Sequence, residues 1–157
     1  MLMAEVKVKT GDAAPQFTAP TTDGSKLSLD DITSRKHVVL YFYPKDDTPG
    51  CTKEACSFRD NLQTIRELGA EIIGVSVDDV QSHKKFSEKY RLPFTLVSDT
   101  DKQISTAYGV LKDPGTYTNR VTFLIEKGGK IVKIFPKVDV SKHTEEILVA
   151  LKELPRT

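Results

Sequence analysis

His37-Val38-Val39-Leu40-Tyr41-Phe42-Tyr43-Pro44-Lys45-Asp46-Asp47-Thr48-Pro49-Gly50-Cys51 is the segment around which this chain is organised. From His37 to Tyr43 the residues are aliphatic, β-branched and aromatic with no polar alternation, which is the pattern of a central strand covered on both faces. Pro49 suits the first position of a helix, where its missing N–H is not needed. Beyond it Ala55, Phe58, Leu62, Ile65 and Leu68 recur at three- and four-residue spacing, and Gly69 follows as a stop. The spacing predicts one amphipathic helix. A buried strand therefore runs through a short polar loop directly into a helix whose first turn holds Cys51.

Outward from this segment the same reading gives an ordered series. Glu71–Val77 is a second buried strand, Gln81–Tyr90 a polar helix closed by Pro93, Phe94–Val97 a third strand, and Asp101–Tyr108 a short helix ended by Gly109. Val121–Glu126 and Lys130–Phe135 flank Gly128-Gly129, a signal for an antiparallel hairpin. Ser141 is placed to cap a last helix whose Ile147, Leu148, Leu151 and Leu154 form one apolar face. Upstream, Val6–Val8 and the residues around Asp23-Gly24 read as short strands or turns. This order predicts parallel pairing early and antiparallel pairing late. The fold class is α/β, with a thioredoxin-like layout: a central mixed β-sheet flanked by helices, with an N-terminal β extension. No repeat or linker-like shift appears, so residues 1–157 are expected to form a single domain. In open α/β sheets ligands gather beyond the carboxyl ends of strands, which directs attention to the loop after Tyr43.

Composition narrows the function. Lys and Arg number 23 against 22 Asp and Glu, a formal net charge of +1. No whole-molecule field is present to attract nucleic acid or an anionic membrane. The longest apolar run, Val38–Tyr43, is far short of the roughly 20 residues a spanning helix needs. Met1–Thr10 alternates charged and single apolar residues and lacks a basic-then-apolar block, so no secretory signal is read and a cytoplasmic, reducing location is expected. An organelle, after removal of a transit peptide, stays open.

The two cysteines, Cys51 and Cys56, are too few for a disulfide-built scaffold. One reading makes both small core residues. Position favours another, because Cys51 lies at a strand-to-helix turn, where unpaired N–H groups and the positive end of the helix dipole favour a sulfur in its charged form. Along an ideal helix, residues five apart have α-carbons roughly 8 to 9 Å apart, whereas a disulfide tolerates about 7 Å. A bond between them requires the helix start to unwind, and would be a reversible catalytic state. No metal site is expected: Cys51 and Cys56 lack a close His or second Cys pair, and His37, His83 and His143 lack ligand spacing. The three histidines read as surface or capping residues. No Walker-type phosphate loop and no Cys-x-x-Cys pair is present.

Phe42-Tyr43-Pro44-Lys45-Asp46-Asp47-Thr48-Pro49-Gly50-Cys51-Thr52 resembles the active-site segment of the peroxiredoxins, and Lys53-Glu54-Ala55-Cys56 with Phe58-Arg59-Asp60 resembles the Q-type, or bacterioferritin comigratory, branch. The likeness continues through Gly74–Asp78, Ser82-His83, Leu92–Phe94, Leu96–Asp99, Ala107–Val110, Arg120–Ile125 and the helix at His143. It implies a thiol peroxidase acting on hydrogen peroxide and small organic hydroperoxides, with no cofactor. Cys51 matches the peroxidatic nucleophile, which becomes a sulfenic acid. Cys56 matches the resolving cysteine that condenses with it into an intramolecular disulfide, to be reduced by thioredoxin or a similar dithiol. Pro44, Thr48 and Arg120 match the remaining active-site positions: Pro44 to shield the sulfur, Thr48 to hydrogen-bond thiolate or peroxide, Arg120 to supply a fixed positive charge. Read alone, these three are a turn residue, a helix cap and a solvated strand-end charge. Val121, Asp79 and the Asp113–Asn119 loop fit the pattern less closely. The branch implies a monomer, with a dimer as the alternative. Two other classes remain open: a thioredoxin-type thiol–disulfide carrier, against which the missing Cys-x-x-Cys counts, and a non-catalytic redox sensor or chaperone-like module on the same fold.

Overall fold

The structure, a computed structural model, describes residues 6–112 and 114–155; Met1–Glu5 of the alternating start and Asp113 of the expected loop lie outside them. In chain order the elements are β1 (Thr18–Pro20), β2 (Lys26–Ser28), α1 (Leu29–Thr33), β3 (His37–Phe42), α2 (Pro49–Asp60), α3 (Leu62–Glu67), β4 (Ala70–Ser76), α4 (Val80–Tyr90), β5 (Thr95–Ser98), α5 (Gln103–Tyr108), β6 (Leu111–Lys112), β7 (Tyr117–Thr118), β8 (Val121–Ile125), β9 (Ile131–Phe135) and α6 (His143–Lys152). The main sheet has the order β5-β4-β3-β8-β9. β3 pairs in parallel with β4, and β4 with β5, whereas β3–β8 and β8–β9 are antiparallel. The mixed sheet expected from the element order is the one observed.

Every residue of β3 is buried, as its unbroken apolar run demands. Its side chains alternate between two cores. Val39, Tyr41 and Tyr43 pack with Phe58, Ile65, Phe86, Ile147 and Leu151 on the face covered by α2, α3, α4 and α6. Val38, Leu40 and Phe42 pack with Leu29, Ile104 and Tyr108 on the face covered by α1 and α5. The N-terminal extension is the β1–β2 hairpin, turning through Asp23-Gly24, with Gly24 at φ +84°. Asp23 accepts from Thr21 and from the Ser25 N–H and hydroxyl, which holds its carboxyl down at about 2. Residues 6–8 form no strand; Lys7 N–H reaches the Tyr108 carbonyl at 3.2 Å.

Several boundaries differ from the sequence reading, each for a local reason. The helix expected from Pro49 to Leu68 is two, because the Asn61 side-chain amide takes the Ser57 carbonyl at 2.8 Å and the backbone at Asn61 leaves helical geometry. Ser141 does not cap α6, whose N-cap position is Lys142; its N–H and hydroxyl both go to the Asp139 carboxylate, at 3.0 and 2.6 Å. The Gly128-Gly129 hairpin forms with both glycines at positive φ, but its connection spans Glu126 to Lys130. Within the Asp113–Asn119 stretch and its flank, β6 and β7 pair as a small hairpin that sequence periodicity did not signal. Asp79 caps α4 by accepting from Ser82 N–H.

Candidate active site

The register of β3 against β8 aligns Phe42 with Val121. Tyr43 and Arg120 are the next residues beyond that pair, so the exit of β3 and the entry to β8 meet at one sheet end. From there α2 starts at Pro49, its first intrahelical bond running from Thr52 N–H to the Thr48 carbonyl at 2.8 Å. The N–H groups of Gly50 and Cys51 precede that bond and point out of the helix start. Cys51 faces inward, at 1% exposure, beside Tyr41, Tyr43, Ala55 and Phe58. Arg120 Nη1 donates to Cys51 Sγ at 3.4 Å. A Cβ on Gly50 would lie 2.9 Å from Arg120 Nη2, so glycine is what lets the guanidinium pass this close to the helix.

Glu54, one turn on from Cys51, completes the charge arrangement. Arg120 Nη1 also donates to Glu54 Oε1 at 2.9 Å, and Glu54 is 1% exposed. Burial pushes the Glu54 carboxyl up and Arg120 pulls it back, leaving it at about 7. Burial opposes the charge on Arg120, but Cys51 and Glu54 outweigh it and hold the guanidinium above its ordinary value. Glu54 Oε2 and the Tyr41 hydroxyl are both buried without a hydrogen-bond partner among the described residues. Burial, then the neighbouring Glu54 and Cys51, drive the Tyr41 hydroxyl well upward and keep it neutral. The site thus sets the Arg120 cation against two buried acidic groups, Cys51 and Glu54.

Thr48 stands at the N-cap position of α2 without capping it; its hydroxyl donates to the Lys45 carbonyl at 2.9 Å. With its one proton committed, the oxygen offers lone pairs. Pro44 is half-buried at the exit of β3. Cys56 is half-buried on the same helix as Cys51, and both thiols are free. The folding therefore joins Cys51 to Arg120, places Thr48 and Pro44 in the adjoining loop, and leaves Cys56 further along α2.

The histidines depart from the sequence reading. His37, His83 and His143 are at most 1% exposed, and each is held by hydrogen bonds. His143 sits edge-on to Phe58 and Phe135, with Nε2 2.8 Å from Thr122 Oγ1. Asp46, Asp78 and His83 converge, with ligand-type atoms within 4.8 Å of one another. Those atoms are already bonded, His83 to Asp46 and Val97, and Asp78 to Ser76 and the Asp46 N–H. Sequence reasoning singled out neither this cluster nor Glu54. The i,i+3 spacing of Cys51 and Glu54 was a usable signal; the distance along the chain from Asp46 to His83 hid the other.

Comparison with known proteins accords with this geometry. A sequence model of the AhpC/TSA family matches residues 10–134. A peroxiredoxin bcp of Coxiella burnetii is 46% identical over 149 residues, spanning 91% of this chain and 98% of the relative. A chloroplastic peroxiredoxin Q of Populus jackii is 46% identical over 150 residues, spanning 94% of this chain and 70% of the relative. Among solved structures, peroxidoxin BcpB of Mycobacterium tuberculosis superimposes with a TM-score of 0.88 at 34% identity, covering 94% of this chain and 99% of its own. A bacterioferritin comigratory protein of Xanthomonas campestris, described for alkyl peroxide reduction, gives 0.83 at 35% identity over 94% and 98% of the two chains. The chain belongs to the AhpC/TSA family and, within it, to the Q-type peroxiredoxins, which makes it a thiol peroxidase.

Proposed function

We propose that this chain reduces hydrogen peroxide and small organic hydroperoxides through Cys51, with Cys56 as the resolving thiol. The observation that carries the reading is the 3.4 Å approach of Arg120 Nη1 to a buried Cys51 sulfur in the first turn of α2. The Cys51 thiolate attacks the terminal peroxide oxygen and the O–O bond breaks. The sulfur becomes a sulfenic acid, and the leaving oxygen takes a proton to depart as water or alcohol. Arg120 and the free N–H groups at the helix start face the charge that develops along S–O–O. Thr48 accepts the peroxide O–H, and Pro44 keeps bulk water from the sulfur.

In the second step Cys56 displaces hydroxide from the sulfenic sulfur, giving a disulfide and water. In α2 the two α-carbons stand roughly 8 to 9 Å apart, so the first turns unwind. The far end of the helix is pinned by the Ser57–Thr144 hydroxyl pair at 2.6 Å and by Phe58, whose ring lies tilted against that of Tyr41 with centroids 4.9 Å apart. A thioredoxin-type dithiol then reduces the disulfide. The relatives come from a bacterium and from chloroplasts, and we place this activity in a reducing compartment, the cytoplasm first, with a monomer as the working unit. No helix among the described residues is long and apolar enough to cross a membrane. A thiol–disulfide carrier is disfavoured because a sulfur at 1% exposure is not presented to a protein disulfide.

Steady-state peroxide consumption, coupled to thioredoxin and its reductase, tests the assignment. Cys51→Ser abolishes turnover, and Cys56→Ser leaves one round of oxidation but slows recycling. Full activity in Cys51→Ser would refute it; unchanged recycling in Cys56→Ser would move the resolving role to another thiol.

A further inference from the structure

Asp46 lies midway along the loop that carries Pro44 and Thr48, and both its carboxylate and its N–H are tied down. Its carboxylate accepts from the Tyr43 hydroxyl at 2.6 Å, the Ser82 hydroxyl at 2.8 Å and His83 Nδ1 at 2.7 Å. His83 is fully buried, and its Nε2 lies 3.0 Å from the Val97 carbonyl. Both ring nitrogens are thus engaged, Nδ1 by the Asp46 carboxylate and Nε2 by the Val97 carbonyl. The Asp46 N–H donates to Asp78, which Ser76 holds in turn at 2.6 Å.

The neighbouring residue is gripped as well. Asp47, at φ +57°, accepts from Lys89 at 2.8 Å and from the Tyr90 hydroxyl at 3.0 Å. Both ends of α4 thus hold consecutive loop residues. On the opposite side the Tyr43 carbonyl accepts from Thr118, two residues before Arg120. None of these anchors belongs to α2, the helix that has to unwind. A buried ionic or hydrogen-bonded pair is a poor device for stability alone, because well-packed apolar residues do as well. What it adds is direction: it fixes one loop in one place.

We propose that His83, acting through Asp46, is a positioning residue for the reaction at Cys51. The pair sets the loop that delivers Thr48 to a peroxide at Cys51, beside the first turn of α2. It stays formed while that turn unwinds, so the helix rewinds onto the same site in each cycle. The inference rests on Cys51 being the reacting sulfur.

The test is the first-turnover rate of the reduced full-length chain with hydrogen peroxide, alongside alkylation of Cys51 by iodoacetamide, which does not use the peroxide-orienting loop. His83→Leu slows the peroxide reaction about tenfold or more, as small displacements of reacting groups do, without slowing alkylation. His83→Gln, whose amide still donates to Asp46, recovers part of the loss. Where His83→Leu does not fold, Asp46→Asn, which keeps the shape and removes the carboxylate, shows the same selective loss. A wild-type peroxide rate in the folded variants, equal slowing of both reactions, or no recovery in His83→Gln would overturn the inference. Retained turnover in Cys51→Ser would instead overturn the reading beneath it.

Discussion

Arg120 and Glu54 share a hydrogen bond of 2.9 Å in which the carboxylate is 1% exposed, and the same guanidinium nitrogen faces the sulfur of Cys51. The cation that serves the sulfur is therefore also, among the described residues, the one hydrogen-bond partner of the buried Glu54 side chain. Glu54 both fixes the guanidinium and competes for its charge.

This arrangement gives a signed pH dependence. The Glu54 carboxyl is raised from 4.5 to about 7, burial being the larger cause and Arg120 the opposing one. Between those values the folded chain holds a proton that the unfolded chain releases, so the stability it contributes is complete below pH 4.5 and lost as pH rises through about 7. The component amounts to about 3 kcal/mol at most. Urea unfolding across this range should show a falling trend in the wild type that Glu54→Gln flattens. An identical slope in both proteins would mean that Glu54 does not carry the effect.

Gly50→Ala should separate activity from stability. Alanine favours a helix over glycine by about 0.8–1 kcal/mol, and the atom its Cβ meets, Arg120 Nη2 at 2.9 Å, is the end of a side chain that can move. The helix gain offsets the loosened contact of Arg120 with buried Glu54, so the melting temperature should hold near the wild-type value. The displaced guanidinium should slow oxidation of Cys51 about tenfold or more. Stopped-flow peroxide kinetics beside a thermal melt reads both; a wild-type rate would show that the approach of Arg120 is not needed.

Gly74→Ala should have the reverse signature. Its Cβ would lie 2.8 Å from Leu96 Cδ2 and 2.9 Å from the Tyr41 ring, inside a core where neither can withdraw. Overpacking of this kind costs about 1–3 kcal/mol. Denaturant unfolding should show the loss, and a midpoint equal to the wild type would contradict the tight packing of Tyr41 over β4.

What the sequence revealed were the features written in neighbouring residues. The apolar run of β3, Pro49 at the helix start, the apolar spacing after it and within α6, and the glycines after Tyr108 and before Lys130 each carry their own physical reason. The mixed sheet followed from their order. What escaped were the partners chosen across the fold. Asn61 splits a helix by turning its side chain back on Ser57, and Asp139 claims Ser141 before it can cap α6. The histidines looked polar enough for the surface, yet each found acceptors or donors inside, His37 with Lys127 and His83 with Asp46 and Val97. Arg120 was indicated by the family resemblance alone, since nothing local marks a residue that reaches Cys51 from across the sheet.

The most direct measurement is the intact mass of the reduced chain after one equivalent of hydrogen peroxide. The account requires the wild type to lose about 2 Da, as an intramolecular disulfide forms, and Cys56→Ser to gain about 16 Da at Cys51, as a sulfenic acid accumulates. Thioredoxin with its reductase should restore the original mass of the wild type. An unchanged wild-type mass, or an oxygen gained anywhere other than Cys51 in Cys56→Ser, would contradict it.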